Sequence, residues 1–169
     1  VHGHKDPDAG RIASYSPMPQ LVSMHAFAQI GLSSEHEVDV GDCKNAFTQS
    51  NKLCRPNGKI YVEPGEEVPL PAGTLIEIVV PVYGLNDAPL AWHHTVTRFL
   101  IDQLGYRWHV LEPGWLLKHR MGKPCGQVLV EVDGLLLSGN KGEMETLRHR
   151  FPDRFTFGKW KRLADQDVE

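Results

Sequence analysis

Apolar residues Leu21, Val22, Met24, Phe27, Ala28 and Ile30 recur at roughly helical spacing. They predict a first helix from Pro19 to Leu32, with Gly31 as its stop. In Glu35–Gly41, Val38 and Val40 alternate with His36, Glu37 and Asp39, the pattern of a short strand. Asn51 to Gly73 is rich in proline and glycine and reads as loop, with one short strand at Lys59–Glu63. The β-branched run Thr74–Val82 predicts another strand. Asp87 at the cap and Pro89 in the first turn predict a helix running to Leu104, with Gly105 at its end. Tyr106–Val110 and Trp115–Arg120 read as strands. Gln127–Val132 and Leu135–Ser138 read as the arms of a hairpin, with Asp133-Gly134 as its tight turn. A polar helix over Glu143–Arg150 is expected to end before Pro152, and Phe155–Trp160 to begin a further strand. Helices and strands thus alternate irregularly around at least one hairpin. This favours an α+β fold, an antiparallel sheet with a central β-hairpin covered by helices, over a doubly wound parallel sheet.

The chain has 169 residues, 41% of them hydrophobic, which suffices for one domain with a real core. The expected organisation is a single domain over 1–169, with an irregular N-terminal segment at 1–18 and a polar C-terminal tail at 159–169. The formal net charge of −3 argues against tight nucleic-acid binding by bulk electrostatics, although a local basic patch remains open. Cys43, Cys54 and Cys125 are widely spaced and form no CxxC pair. They read as thiols of a reducing, intracellular compartment rather than as a disulfide or zinc framework. The nine histidines show no HxxxH spacing. Glu77, Glu131 and Asp133 interrupt the longest apolar runs, so no membrane span is expected. The first residues carry neither the basic start nor the apolar run of a secretory signal.

Candidate chemistry gathers in three ordered blocks. The first, Asp42-Cys43-Lys44-Asn45-Ala46-Phe47, follows a predicted strand. The second is Tyr83-Gly84-Leu85-Asn86-Asp87-Ala88-Pro89-Leu90-Ala91-Trp92. The third is Val130-Glu131-Val132-Asp133-Gly134-Leu135-Leu136-Leu137-Ser138-Gly139, at the predicted hairpin. Each feature alone has an ordinary structural reading. Asp133-Gly134 suits a tight turn, Asp42 and Asn45 suit a strand end, and Tyr83 and Trp92 suit a core. Lys159-Trp160-Lys161-Arg162 is either a solvated tail or a phosphate contact with Trp160 stacked on a base.

Taken in order, the blocks resemble those of copia-type (Pseudoviridae-like) retrotransposon reverse transcriptases: D-V-K-N-A-F, Y-G-L-K-Q-A-P-R-A-W and the Y-V-D-D hairpin. His4-Lys5-Asp6-Pro7-Asp8, Ser16-Pro17, Ile60-Tyr61-Val62-Glu63-Pro64 and Phe155–Trp160 extend the resemblance over nearly the whole chain. It implies a partial fingers-and-palm region performing two-metal nucleotidyl transfer, with Mg²⁺ held by carboxylates from separate strands. On this reading Asp42 and Asp133 are the catalytic, metal-binding carboxylates. Phe47, Tyr83, Gly84 and Leu85 are nucleotide-binding positions, with Phe47 beneath the incoming sugar.

The departures from the family pattern all point one way. Gly134 stands where a third metal aspartate is expected, with Glu131 as a possible substitute on the same side of its strand. Val80 and Pro81 occupy the place of an upstream lysine, Asn86 that of a basic residue, and Leu90 that of a frequent arginine. Two functions follow as expectations. One is a catalytically inactive, domesticated domain, kept as a scaffold or small subunit among other protein subunits and needing no cofactor. The other is an RNA-directed DNA polymerase domain of a retroelement polyprotein, using Mg²⁺.

Overall fold

The structure, a computed structural model, describes residues 6, 8, 10–56, 58–65 and 67–163. In chain order the elements are α1 (Leu21–Ser33), β1 (Glu37–Cys43), a 3₁₀ turn (Ala46–Gln49), β2 (Ile60–Val62) and β3 (Ile76–Ile78). There follow α2 (Ala88–Arg98), continued by a π-helical turn (Phe99–Gln103), then β4 (Arg107–Trp108), β5 (Trp115–Arg120), β6 (Lys123–Glu131), β7 (Gly134–Gly139), α3 (Lys141–Arg154) and β8 (Phe157–Arg162). Six strands form one sheet in the order β4-β5-β6-β7-β1-β8, and β2 and β3 form a separate ribbon. Every pairing is antiparallel, so the fold is α+β with a central hairpin and helices against the sheet.

The two sheet faces have different coverings. On one, Cys43, Val128, Val130, Leu135 and Leu137 pack against Trp92, Val96, Phe99 and Leu100 of the α2 region and Met144, Leu147 and Phe151 of α3. On the other, Phe27 of α1 meets Trp115 and Leu129, with Val38 and Leu136 at the margin. The helix α1 covers only part of that face and leaves Leu21, Val22 and Leu32 exposed.

The alternation in β1 does not point as an amphipathic strand would. Asp39 is fully buried on the face covered by α2 and α3, whereas Val38 and Val40 are only half-buried. The Arg148 guanidinium from α3 donates to both Asp39 carboxylate oxygens at 2.8 and 2.7 Å and to Glu37 at 2.6 Å. The Trp160 indole of β8 donates to the same Asp39 carboxylate at 2.7 Å. These charge-assisted bonds satisfy a carboxylate that would otherwise be costly to bury, and they raise the pKa of Arg148, Asp39 contributing most.

Several sequence expectations are corrected. The turn of the β6–β7 hairpin is Val132-Asp133, because Glu131 pairs with Gly134, which is the first residue of β7. Asp87 precedes α2 but makes no capping bond. Its carboxylate instead accepts from the buried Arg55 at 2.6 Å, and Arg55 also donates to Asp6 at 2.9 Å. Pro152 lies inside α3 rather than beyond it. The missing N–H falls in the last turn, and Phe151 and Phe155 are buried on either side of it, Phe155 as the extended residue that ends the helix. Residues 159–162, expected to open a polar tail, belong to β8 and pair with β1.

Removing Arg148 takes the counter-charge from the buried Asp39 carboxylate and leaves it only the Trp160 indole as a partner. Arg148→Met is expected to lower unfolding stability by about 3–5 kcal/mol, measured by urea denaturation. Asp39→Leu combined with Arg148→Met removes both charges and is expected to recover much of that loss.

Candidate functional site

The geometry of the site follows from strand pairing. Asp42 is opposite Lys159 of β8 on one side and Gly134 of β7 on the other, and Gly134 is in turn opposite Glu131 of β6. Directly opposed residues in antiparallel strands share a face. Lys159, Asp42, Gly134 and Glu131 therefore form one transverse row, on the face that α1 only partly covers. The next row, Lys161–Val40–Leu136–Leu129–Trp115, runs beneath α1 at its far end. Two strand spacings separate the Asp42 and Glu131 backbones, roughly 10 Å.

Asp133 is beside this row, in the hairpin turn, where its carbonyl accepts the Cys43 N–H at 2.9 Å. Cys43 points to the covered face and is buried. Its thiol pKa is pushed up to about 12 by burial first and by the nearby Asp42 and Asp133 charges after it. The two candidate carboxylates thus bracket one buried thiol, which is inert as a nucleophile in that state. Val132, the other turn residue, has φ of +22°, a conformation that a β-branched residue adopts only under strain.

Gly134 is not required by the turn. Its φ is not positive, and a Cβ built there would meet nothing nearer than the Glu131 carbonyl oxygen at 3.6 Å. Gly126 and Gly139 of the same hairpin differ, since a Cβ would come within 2.6 Å of the Tyr106 hydroxyl and 2.9 Å of the Cys125 carbonyl. Gly158 is also constrained, its Cβ direction ending 3.1 Å from the Asp42 carboxylate.

The remaining candidate positions separate. Phe47 is a core residue of the 3₁₀ turn, its ring 4.5 Å from that of the exposed Tyr83. Gly84 adopts φ of +97° and turns the chain so that Leu85 is buried. Tyr83 lines an apolar groove of about 600 Å³ with Val62, Ile76, Val79 and Val82. The basic C-terminal set does not act as a unit. Trp160 is held by Asp39 and packed on Phe157 at 4.7 Å, so its ring is not free to stack on a base. Lys159 and Lys161 project to the Asp42 face, and Arg162, by alternation, to the other.

A pair of magnesium ions needs several oxygen ligands converging on one point. The row brings Asp42 and, across the gap at Gly134, Glu131, while Lys159 adds a positive charge beside Asp42. Among the described residues no group of three or more His, Cys, Asp or Glu side chains is arranged to hold a metal. The donor set present does not fit the two-ion site that the resemblance implies. Sequence reading missed the Lys159–Asp42 pairing, which depends on a register between segments far apart in the chain.

No protein-family model matches the chain, and neither a curated protein nor a solved structure matches it.

Because the space at Gly134 is open, Gly134→Asp is expected to fold, with an unfolding midpoint lowered by repulsion from the directly opposite Asp42 and Glu131. It should also bind Mn²⁺ at least about tenfold more tightly than the parent, measured by isothermal titration calorimetry. Asp42→Asn in that background should abolish the gain, and no gain at all would show that position 134 does not face Asp42.

Proposed function

We propose that this chain is a reverse-transcriptase-palm-like domain of copia retrotransposon ancestry that no longer performs nucleotidyl transfer and serves as a scaffold or small subunit of a larger protein assembly. The observation that carries this reading is Gly134. It occupies the strand position facing Asp42, where the family places a carboxylate, although neither the turn nor the packing calls for glycine. Loss of one ligand in a metal-clamped displacement costs orders of magnitude in rate. The surface agrees with use as a subunit. Met18, Leu21, Val22, Val110 and Leu111 are large apolar side chains left in solvent. Among the described residues no helix is long and apolar enough to cross a membrane.

The second reading, an RNA-directed DNA polymerase domain using Mg²⁺, draws on two observations. Glu131 shares the transverse row with Asp42, and Val132 in the hairpin turn carries a strained φ of +22°.

Primer extension on a primed RNA template, with Mg²⁺ or Mn²⁺, separates the two. Under the scaffold reading no extension is expected, and duplex affinity should show little dependence on salt. Extension by the natural sequence that disappears in Asp42→Ala would overturn that reading and establish the polymerase.

A further inference from the structure

The loop 109–114, between β4 and β5, touches both helical layers around the edge of the sheet. On the α1 side the buried Glu112 carboxylate takes the place of a cap that Gln20 does not supply. It accepts from the Gln20 N–H at 3.2 Å and the Ser23 hydroxyl at 2.8 Å, and internally from the Gly114 N–H at 3.4 Å. The loop is further braced where His109 stacks on Trp115 at 4.5 Å and accepts the Leu111 N–H. This bracing presents Val110 and Leu111 to solvent at 94% and 85% exposure.

On the α2 side the contact is with His93. The imidazole is 3% exposed and stacks on Trp108 of β4, centroids 5.8 Å apart and planes 23° from parallel. Neither ring nitrogen makes a hydrogen bond among the described residues. The Pro113 carbonyl is near enough to favour a proton on the ring, but burial and the neighbouring His94 outweigh it, and the pKa is lowered. The ionisable groups on the surrounding elements are His94 and the exposed Arg98 on α2, Arg107 on β4, and His109 and Glu112 in the loop. Arg107 projects to the opposite sheet face from Trp108, and Glu112 is committed to α1. No carboxylate is thus positioned to receive a second N–H from His93.

We propose that the 109–114 loop is an acid-released clasp: protonation of His93, which has no buried acceptor for a second N–H, expels the ring from beneath Trp108 and Pro113 and frees the loop from α2. Because the folded-state pKa lies below the ordinary 6.5, the closed clasp is fully favoured above pH 6.5 and loses that advantage as pH falls below it. Each pH unit of that window raises the open fraction by up to about tenfold, until the folded-state pKa is reached. Glu112 does not produce this effect, since its own pKa is lowered from 4.5: burial opposes the shift, and the bonds from Ser23, Gln20 and Gly114 outweigh it. Its hold on α1 weakens only at lower pH.

Hydrogen–deuterium exchange of the full chain between pH 7.5 and 5.5, corrected for the intrinsic pH dependence of exchange, tests the clasp. Protection of 107–113 is expected to fall by up to about tenfold per unit below pH 6.5, with Leu135–Leu137 of β7, which pair only with β1 and β6, unchanged. His93→Phe, which keeps the stack and removes the proton site, should make that profile flat. An identical profile in the variant, or no local loss of protection in the parent, overturns the proposal. Should His93→Phe fail to fold, the His93 ring resonances of the parent decide. Titration at the ordinary histidine pKa without loop opening overturns the clasp, and a lowered midpoint coincident with opening supports it.

Discussion

One buried carboxylate sets the orientation of everything at the candidate site. Asp39 is in β1, between β7 and β8 of the six-stranded sheet, and its charge is matched by the Arg148 guanidinium of α3 and the Trp160 indole of β8. Side chains alternate along a strand, so fixing Asp39 on the covered face also fixes Gly41 and Cys43 there and turns Asp42 to the open one. A register that buried Val38 and Val40 instead would send Asp42 into the core, opposite Leu135-like positions, and abolish the transverse row with Lys159, Gly134 and Glu131. The same contact holds α3 and the edge strand β8 to the sheet. A single ion pair therefore governs a helix, a strand edge and the exposure of the candidate carboxylate three residues away.

Within that frame Gly134 acquires a definite meaning. In the sequence it looks like a turn residue, and a turn would account for glycine with no reference to function. The register moves it out of the turn and into β7, leaving Val132 to take the strained positive φ. Gly41, Gly126, Gly139 and Gly158 all have neighbours that a Cβ would crowd, and Gly134 has none nearer than 3.6 Å. The position is thus sterically permissive and directly opposite Asp42. Glycine at that position is therefore not a demand of the fold.

The order and type of most elements were legible because they rest on local signals. The continuous apolar runs of β6 and β7, the β5 run and the Asp87–Pro89 helix start are all written within a few residues. What could not be read rests on partners remote in the chain. Asp39 looked like an ordinary polar residue of a half-buried strand because Arg148 is 109 residues away. Asp87 looked like a helix cap because the competing partner, Arg55, lies in a loop 32 residues back. Trp160 looked like a free aromatic in a basic tail because only the β1–β8 pairing brings it to Asp39. The hairpin slipped by one residue for a related reason: Asp-Gly is the stronger local turn signal, but continuity of β7 against β1 imposes the Glu131–Gly134 pairing.

These polar contacts share a role. Asp39–Arg148 joins β1 to α3, Arg55 joins the N-terminal segment to the start of α2, and Glu112 joins the β4–β5 loop to α1. Each connects layers whose apolar contact is limited at that point, most evidently α1, where only Phe27 and Gly31 are buried. Apolar burial is indifferent to small rotations of a helix on a sheet, whereas a buried charge tolerates few geometries. A helix with so little buried surface is positioned chiefly by its capping carboxylate, while its outer apolar residues remain available. That division turns polar groups inward, where they fix the register, and leaves Leu21, Val22 and Leu32 outward.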